Sequence, residues 1–170
     1  MITILRLGHR LGRDERLSTH CGLIARAFGA AKIIFTGDYD KKLIESVNEV
    51  ANRWGGPFSA TYEKNWRTSI KTHKKKKFCI VHLTMYGLPF QKKIRQIKKK
   101  RNILVVIGSE KVPGEVYHNA DYNISVTSQP HSEAAALAVF LHEYSRGKEK
   151  KFRKAKIKIV PQERGKKVVD

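Results

Sequence analysis

Short, nearly unbroken apolar runs alternate along the chain with segments of helical spacing. ITILRL (2–7), AKIIFT (31–36), FSATY (58–62), FCIVHLT (78–84), NILVVIG (102–108) and YNISVT (122–127) read as strands. Between them, STHCGLIARAFG (18–29) predicts a helix capped by Ser18 or Thr19 and ended by Gly29. Asp40 opens a second helix in which Leu43, Val47, Val50 and Trp54 keep helical spacing, until Gly55 and Gly56 stop it. NWRTSIKTHKKKK (65–77) predicts a short helix with a basic end, and SEAAALAVFLHEYSRG (132–147) a long apolar one. Strands apolar at almost every position, separated by helices, are what a parallel sheet covered on both faces requires, so the expected fold is α/β. From Lys148 the pattern changes to alternating Lys and Ile, with Gly165 in a turn. The expected division is therefore a body over 1–147 and a basic C-terminal β-hairpin extension over 148–170.

Composition adds a partner to this outline. A chain of 170 residues suffices for one core. Its 35 Lys and Arg against 15 Asp and Glu leave a net charge of +20, which calls for a polyanion. Of those 35 cations, 20 fall in the three segments 71–77, 92–101 and 146–158, the expected path of an RNA backbone. No apolar run approaches the roughly 18 residues of a spanning helix, and MITILRLGHR has no signal-peptide layout, so no membrane partner and a cytoplasmic location are expected. Cys21 and Cys79 stand far apart in apolar segments, which predicts buried free thiols and no metal site.

The common phosphate motifs are missing. GSEKVPGEV (108–116) departs from a P-loop because Gly114 is followed by Glu115, and no GxGxxG follows a strand. HSE (131–133) lacks the second half of a zinc-deaminase signature. What remains are the turns beyond the carboxyl ends of 78–84, 102–107 and 122–127, where α/β sheets bind ligands.

Three segments in order, RLGRDERLSTHCGLIARAFGA (10–30), ILVVIGSEKVPG (103–114) and TSQPHSEAAALAVFLHEY (127–144), resemble the SPOUT superfamily of methyltransferases. More closely, Arg10-x-x-Arg13-Asp14-x-Arg16-x-x-Thr19-His20 followed by ARAFGA and SQPHSEAAAL is similar to the archaeal tRNA 2′-O-methyltransferases that act on the T-loop cytidine. The resemblance spans nearly the whole chain. It implies a C-terminal deep trefoil knot, a homodimer, tRNA as substrate and S-adenosylmethionine held by three loops. Those loops correspond to Leu83 with its neighbours; to Gly108, Ser109, Glu110, Lys111 and Val112; and to Val126, Thr127, Ser128, Gln129, Pro130, His131, Ser132 and Glu133. It also implies a catalytic arginine, matched by spacing to Arg26, with Arg16 as the rival nearer the loop. Such a guanidinium would hold phosphate and stabilise the developing alkoxide rather than act as base, since its pKa stays above about 12. His20 and Pro130 stand where many relatives carry Asn, so those roles are not transferred. A non-catalytic RNA-binding or ribosomal protein and a base-directed SPOUT enzyme share much of this pattern.

Overall fold

A computed structural model describes residues 1–108, 111–148 and 151–169. Six strands, β1 (Ile2–His9), β2 (Lys32–Gly37), β3 (Ser59–Tyr62), β4 (Cys79–Pro89), β5 (Ile103–Gly108) and β6 (Tyr122–Ser125), form one sheet in the order β3-β2-β1-β5-β4-β6. Every pairing in it is parallel. The helices are α1 (Glu15–Ala27), α2 (Lys41–Trp54), α3 (Trp66–Lys75), α4 (Phe90–Lys98), α5 (Gly114–Asn119) and α6 (Glu133–Tyr144).

The continuous apolar runs follow from burial on both faces. Ile4, Ile33, Phe35, Val81, Ile103, Val105 and Ile107 pack with α1, α2, α4 and α6. Their alternates Leu5, Leu7, Ile34, Ile80, Leu104 and Val106 pack with Ile70 of α3 and Val116 of α5. Cys21 and Cys79 are buried free thiols, and burial pushes the Cys21 thiol up to about 12.

Local signals hold with two exceptions. The Asp40 carboxylate accepts from Leu43 N–H at 2.9 Å and opens α2, and Ser132 caps α6 by accepting from Ala135 N–H at 3.1 Å. Ser18, however, does not cap α1: the helix begins a turn earlier, after Asp14, whose carbonyl accepts from Ser18 N–H. The Ser18 hydroxyl instead meets His9 Nδ1 at 2.8 Å inside the core. The second exception is α5, six residues too short to show a period in the sequence.

β7 (Lys158–Ile159) and β8 (Val168–Val169) pair antiparallel, as the expected hairpin. The segment before it lies on the end of α2, where Gly56 N–H donates to the Arg153 carbonyl and Lys156 N–H to the Arg53 carbonyl. Gly55, at φ +75°, allows this approach; a Cβ there would sit 2.6 Å from the Arg153 carbonyl oxygen. Among the described residues no helix is long and apolar enough to cross a membrane.

Candidate active site

A cavity of about 480 Å³ opens beyond the carboxyl ends of β1, β5 and β4. Strand β4 shapes its rim: Leu83 and Leu88 both pair with Ile124 of β6, so the chain between them bulges out and brings Thr84, Met85 and Tyr86 over the opening. Gly87 in that bulge crosses β6 so closely that a Cβ would fall 2.5 Å from Ile124 N. Gly108 ends β5, and a Cβ on it would collide with the Val112 side chain, which covers the end of the strand.

The wall on the α1 and α6 side is charged. Arg6 interrupts the apolar run of β1 and is fully buried, and its Nη2 donates to Glu133 Oε1 at 2.6 Å. Asp14 Oδ2 lies 3.9 Å from the same nitrogen and accepts from Arg10 Nε at 2.9 Å. The Arg10 bond, helped by the charge of Arg6, holds the Asp14 carboxyl below its ordinary value despite desolvation. Burial pushes the Glu133 carboxyl upward against the opposing pull of Arg6. Glu133 Oε2 is buried with no hydrogen-bond partner among the described residues.

The wall on the α5 side is neutral. Asn123 Nδ2 donates to the Tyr117 carbonyl at 2.9 Å, and Asn123 Oδ1 lies 2.8 Å from His82 Nδ1. The Tyr117 hydroxyl meets Thr84 Oγ1 at 3.1 Å, and its ring stands edge-on to the imidazole. Burial holds the His82 imidazole below its ordinary range, although the Asn123 bond works the other way.

The cavity draws together Leu83, Gly108, Val112, His131, Ser132 and Glu133 from the three loops selected in the sequence. Lys111 and Val126 to Pro130 are off its wall, and Ser109 and Glu110 lie outside the described residues. Arg16 is exposed on the first turn of α1, away from the wall. Arg26 is buried elsewhere: its Nη2 donates to the Gly55 carbonyl at 2.7 Å and its guanidinium lies 4.6 Å from the centre of the Phe152 ring. The arginines on the cavity are Arg10 and Arg13, part of the recognised motif but not selected from it. His82 and Thr84 enter the cavity as the neighbours of Leu83, without being singled out in the sequence, and Met85 and Tyr117 were missed; a histidine inside the buried run FCIVHLT was the one signal available.

S-adenosylmethionine suits this site. The volume lies in the range of small-molecule pockets, of about 300–1,000 Å³. Of the five buried side-chain atoms without a hydrogen-bond partner among the described residues, two belong to residues lining the cavity, His82 Nε2 and Glu133 Oε2; they sit on opposite walls, one neutral and one charged, matching a molecule with a nucleoside half and an ionic half.

Similarity to known proteins places the chain. The profile of the family described as tRNA ribose 2′-O-methyltransferase, aTrm56, matches residues 54–169. A tRNA (cytidine(56)-2′-O)-methyltransferase of Methanopyrus kandleri is 50% identical over 97% of this chain and 94% of its own. The enzyme of that name from Thermococcus kodakarensis is 52% identical over 99% of this chain and 97% of its own. Among solved structures, the SpoU methyltransferase AviRb from Streptomyces viridochromogenes superposes with a TM-score of 0.65 at 16% identity, over 86% of this chain and 59% of that one. A second structure of AviRb, in complex with the cofactor AdoMet, gives 0.60 at 15% identity, over 86% and 57%. With that profile matched over 54–169 and half of its residues shared with curated enzymes over nearly the full length, the chain belongs to the aTrm56 family of tRNA ribose 2′-O-methyltransferases.

Proposed function

We infer that the protein methylates the 2′-hydroxyl of cytidine 56 in tRNA, with S-adenosylmethionine as cofactor. The observation that carries this reading is the cavity itself: three segments far apart in sequence meet over the strand ends in a chain half identical to the curated enzymes. When bound, S-adenosylmethionine supplies an electrophilic methyl group. The protein holds it between a neutral and a charged wall, keeps bulk water from the apolar parts of the cavity, and leaves the open rim for RNA. Incubation with unmodified tRNA and labelled methyl donor, then mass spectrometry of nuclease digests, is expected to find the label on the ribose of cytidine 56. Label on a base would favour a base methyltransferase, and no label a binding protein.

The finer assignments are part of the same proposal. Arg26, by its spacing, and Arg16, by its exposure, are the candidates for the guanidinium that steadies the sugar oxygen. Neither lines the cavity of its own chain, which favours a homodimer in which the arginine serves the partner's cofactor. Arg26→Ala is expected to retain cofactor binding and lose turnover by several powers of ten; near-normal turnover moves the role to Arg16. The tight crossing of Gly87 over β6 supports the trefoil knot, and the docking of residues 153–157 on α2 supports a body with an appended extension at 148. A cytoplasmic location suits a tRNA substrate. The basic surface of α3, α4 and the extension is proposed to follow the tRNA backbone, with log K falling by about 0.7–0.9 per decade of salt for each phosphate neutralised.

A further inference from the structure

His82 sits where an apolar residue would pack, between β5 and β6 on the α5 face of the sheet, and its side chain is fully buried. Two bonds fix its protonation pattern. The Tyr117 carbonyl can only accept, so the group of Asn123 facing it at 2.9 Å is the amide nitrogen. That leaves Asn123 Oδ1 facing His82 Nδ1 at 2.8 Å, and because a carboxamide oxygen also only accepts, the ring proton is on Nδ1. Nε2 is then a bare lone pair, buried and without a hydrogen-bond partner among the described residues, on a residue of the cavity wall. An acceptor left unmatched in the interior costs free energy that a ligand can recover.

We propose that His82 Nε2 is the built acceptor for an N–H or O–H group on the adenosine half of the methyl donor, a side-chain determinant of how the cofactor is oriented. This rests on the reading of the cavity as a cofactor site. The adenosine half is indicated because the surroundings of His82, namely Leu83, Thr84, Met85 and Tyr117, are apolar or uncharged and suit a flat heterocycle. The ionic half of the ligand finds its complement across the cavity, at Arg10, Asp14 and Glu133. A protonated imidazole would present a donor instead of an acceptor, so the Asn123 bond selects the tautomer on which recognition depends.

The test is nitrogen NMR of the imidazole in the isotopically labelled full chain, titrated with S-adenosylhomocysteine and, separately, with adenosine and with methionine. The expected result is a bare Nε2 signal in the free protein that moves toward the hydrogen-bonded position with S-adenosylhomocysteine and with adenosine, but not with methionine. In parallel, calorimetry of His82→Phe is expected to show S-adenosylhomocysteine binding weakened about ten-fold. If that variant does not fold, the NMR titration of the natural chain decides alone. Binding of S-adenosylhomocysteine with Nε2 unmoved, or a shift with methionine and none with adenosine, overturns the assignment and leaves the proposed function standing. Absence of any binding to the natural chain overturns both.

Discussion

The two walls of the cavity solve the same problem by different chemistry. On the α6 side a buried arginine, Arg6, is matched to Glu133 and Asp14 across 127 and 8 positions of sequence. On the α5 side an uncharged chain of side-chain and main-chain groups, His82, Asn123 and Tyr117, carries no net charge and leaves one acceptor bare. The difference teaches where each wall is vulnerable. Charges removed from water are safe only while paired, whereas a neutral network loses one modest bond at a time.

Arg6→Met should therefore have the largest effect, because it strands Glu133 as a buried carboxylate; the expected loss is about 3–5 kcal/mol in denaturant unfolding. Arg6→Met combined with Glu133→Leu should recover much of that loss. If the double variant is no more stable than the single, the pairing is not what holds this wall.

Acid should separate the walls. The His82 pKa is lowered in the folded state below its ordinary 6.5, mainly by burial, so the unfolded chain takes up the proton first. Its contribution is fully present above about pH 6.5 and declines as pH falls below it. Asp14 is lowered from 3.8, chiefly by the Arg10 bond, so its contribution persists until the pH falls to about 3.8 and lower. Glu133 runs the opposite way, since burial raises it above 4.5 and its contribution fades as pH rises through that raised value. Unfolding curves collected from pH 8 to pH 3 should show the first decline near 6.5, and His82→Gln should flatten that part. His73, also lowered by burial, adds a parallel slope that His73→Gln isolates.

The smallest effect is expected from Tyr117→Phe, which removes only the contact with Thr84 Oγ1 and should cost about 1 kcal/mol. A loss as large as that of Arg6→Met would mean that the neutral wall is not built of separable bonds.

The architecture was largely readable because parallel strands buried on both faces write themselves as unbroken apolar runs, and because Asp40, Gly55 and Ser132 mark helix ends by local chemistry. The start of α1 was not, since Asp14 and Ser18 are equally suitable caps in sequence and only the core position of His9 draws Ser18 inward. The site was readable as three loops but not as two walls. Arg6 in ITILRL and His82 in FCIVHLT announce that something polar is buried, yet their partners lie far along the chain and no local rule names them. Arg26 shows the same gap, because its engagement with Gly55 and Phe152 depends on how the C-terminal extension docks.

A crystal structure of the protein with S-adenosylhomocysteine tests the central claim most directly. The account predicts the ligand in the cavity over β1, β5 and β4, its adenosine against His82 and Tyr117 and its amino-acid end toward Arg10 and Glu133. A ligand in the opposite orientation, or one seated in the neighbouring cavity of about 520 Å³ lined by Leu11, Tyr39 and Lys42, would contradict it.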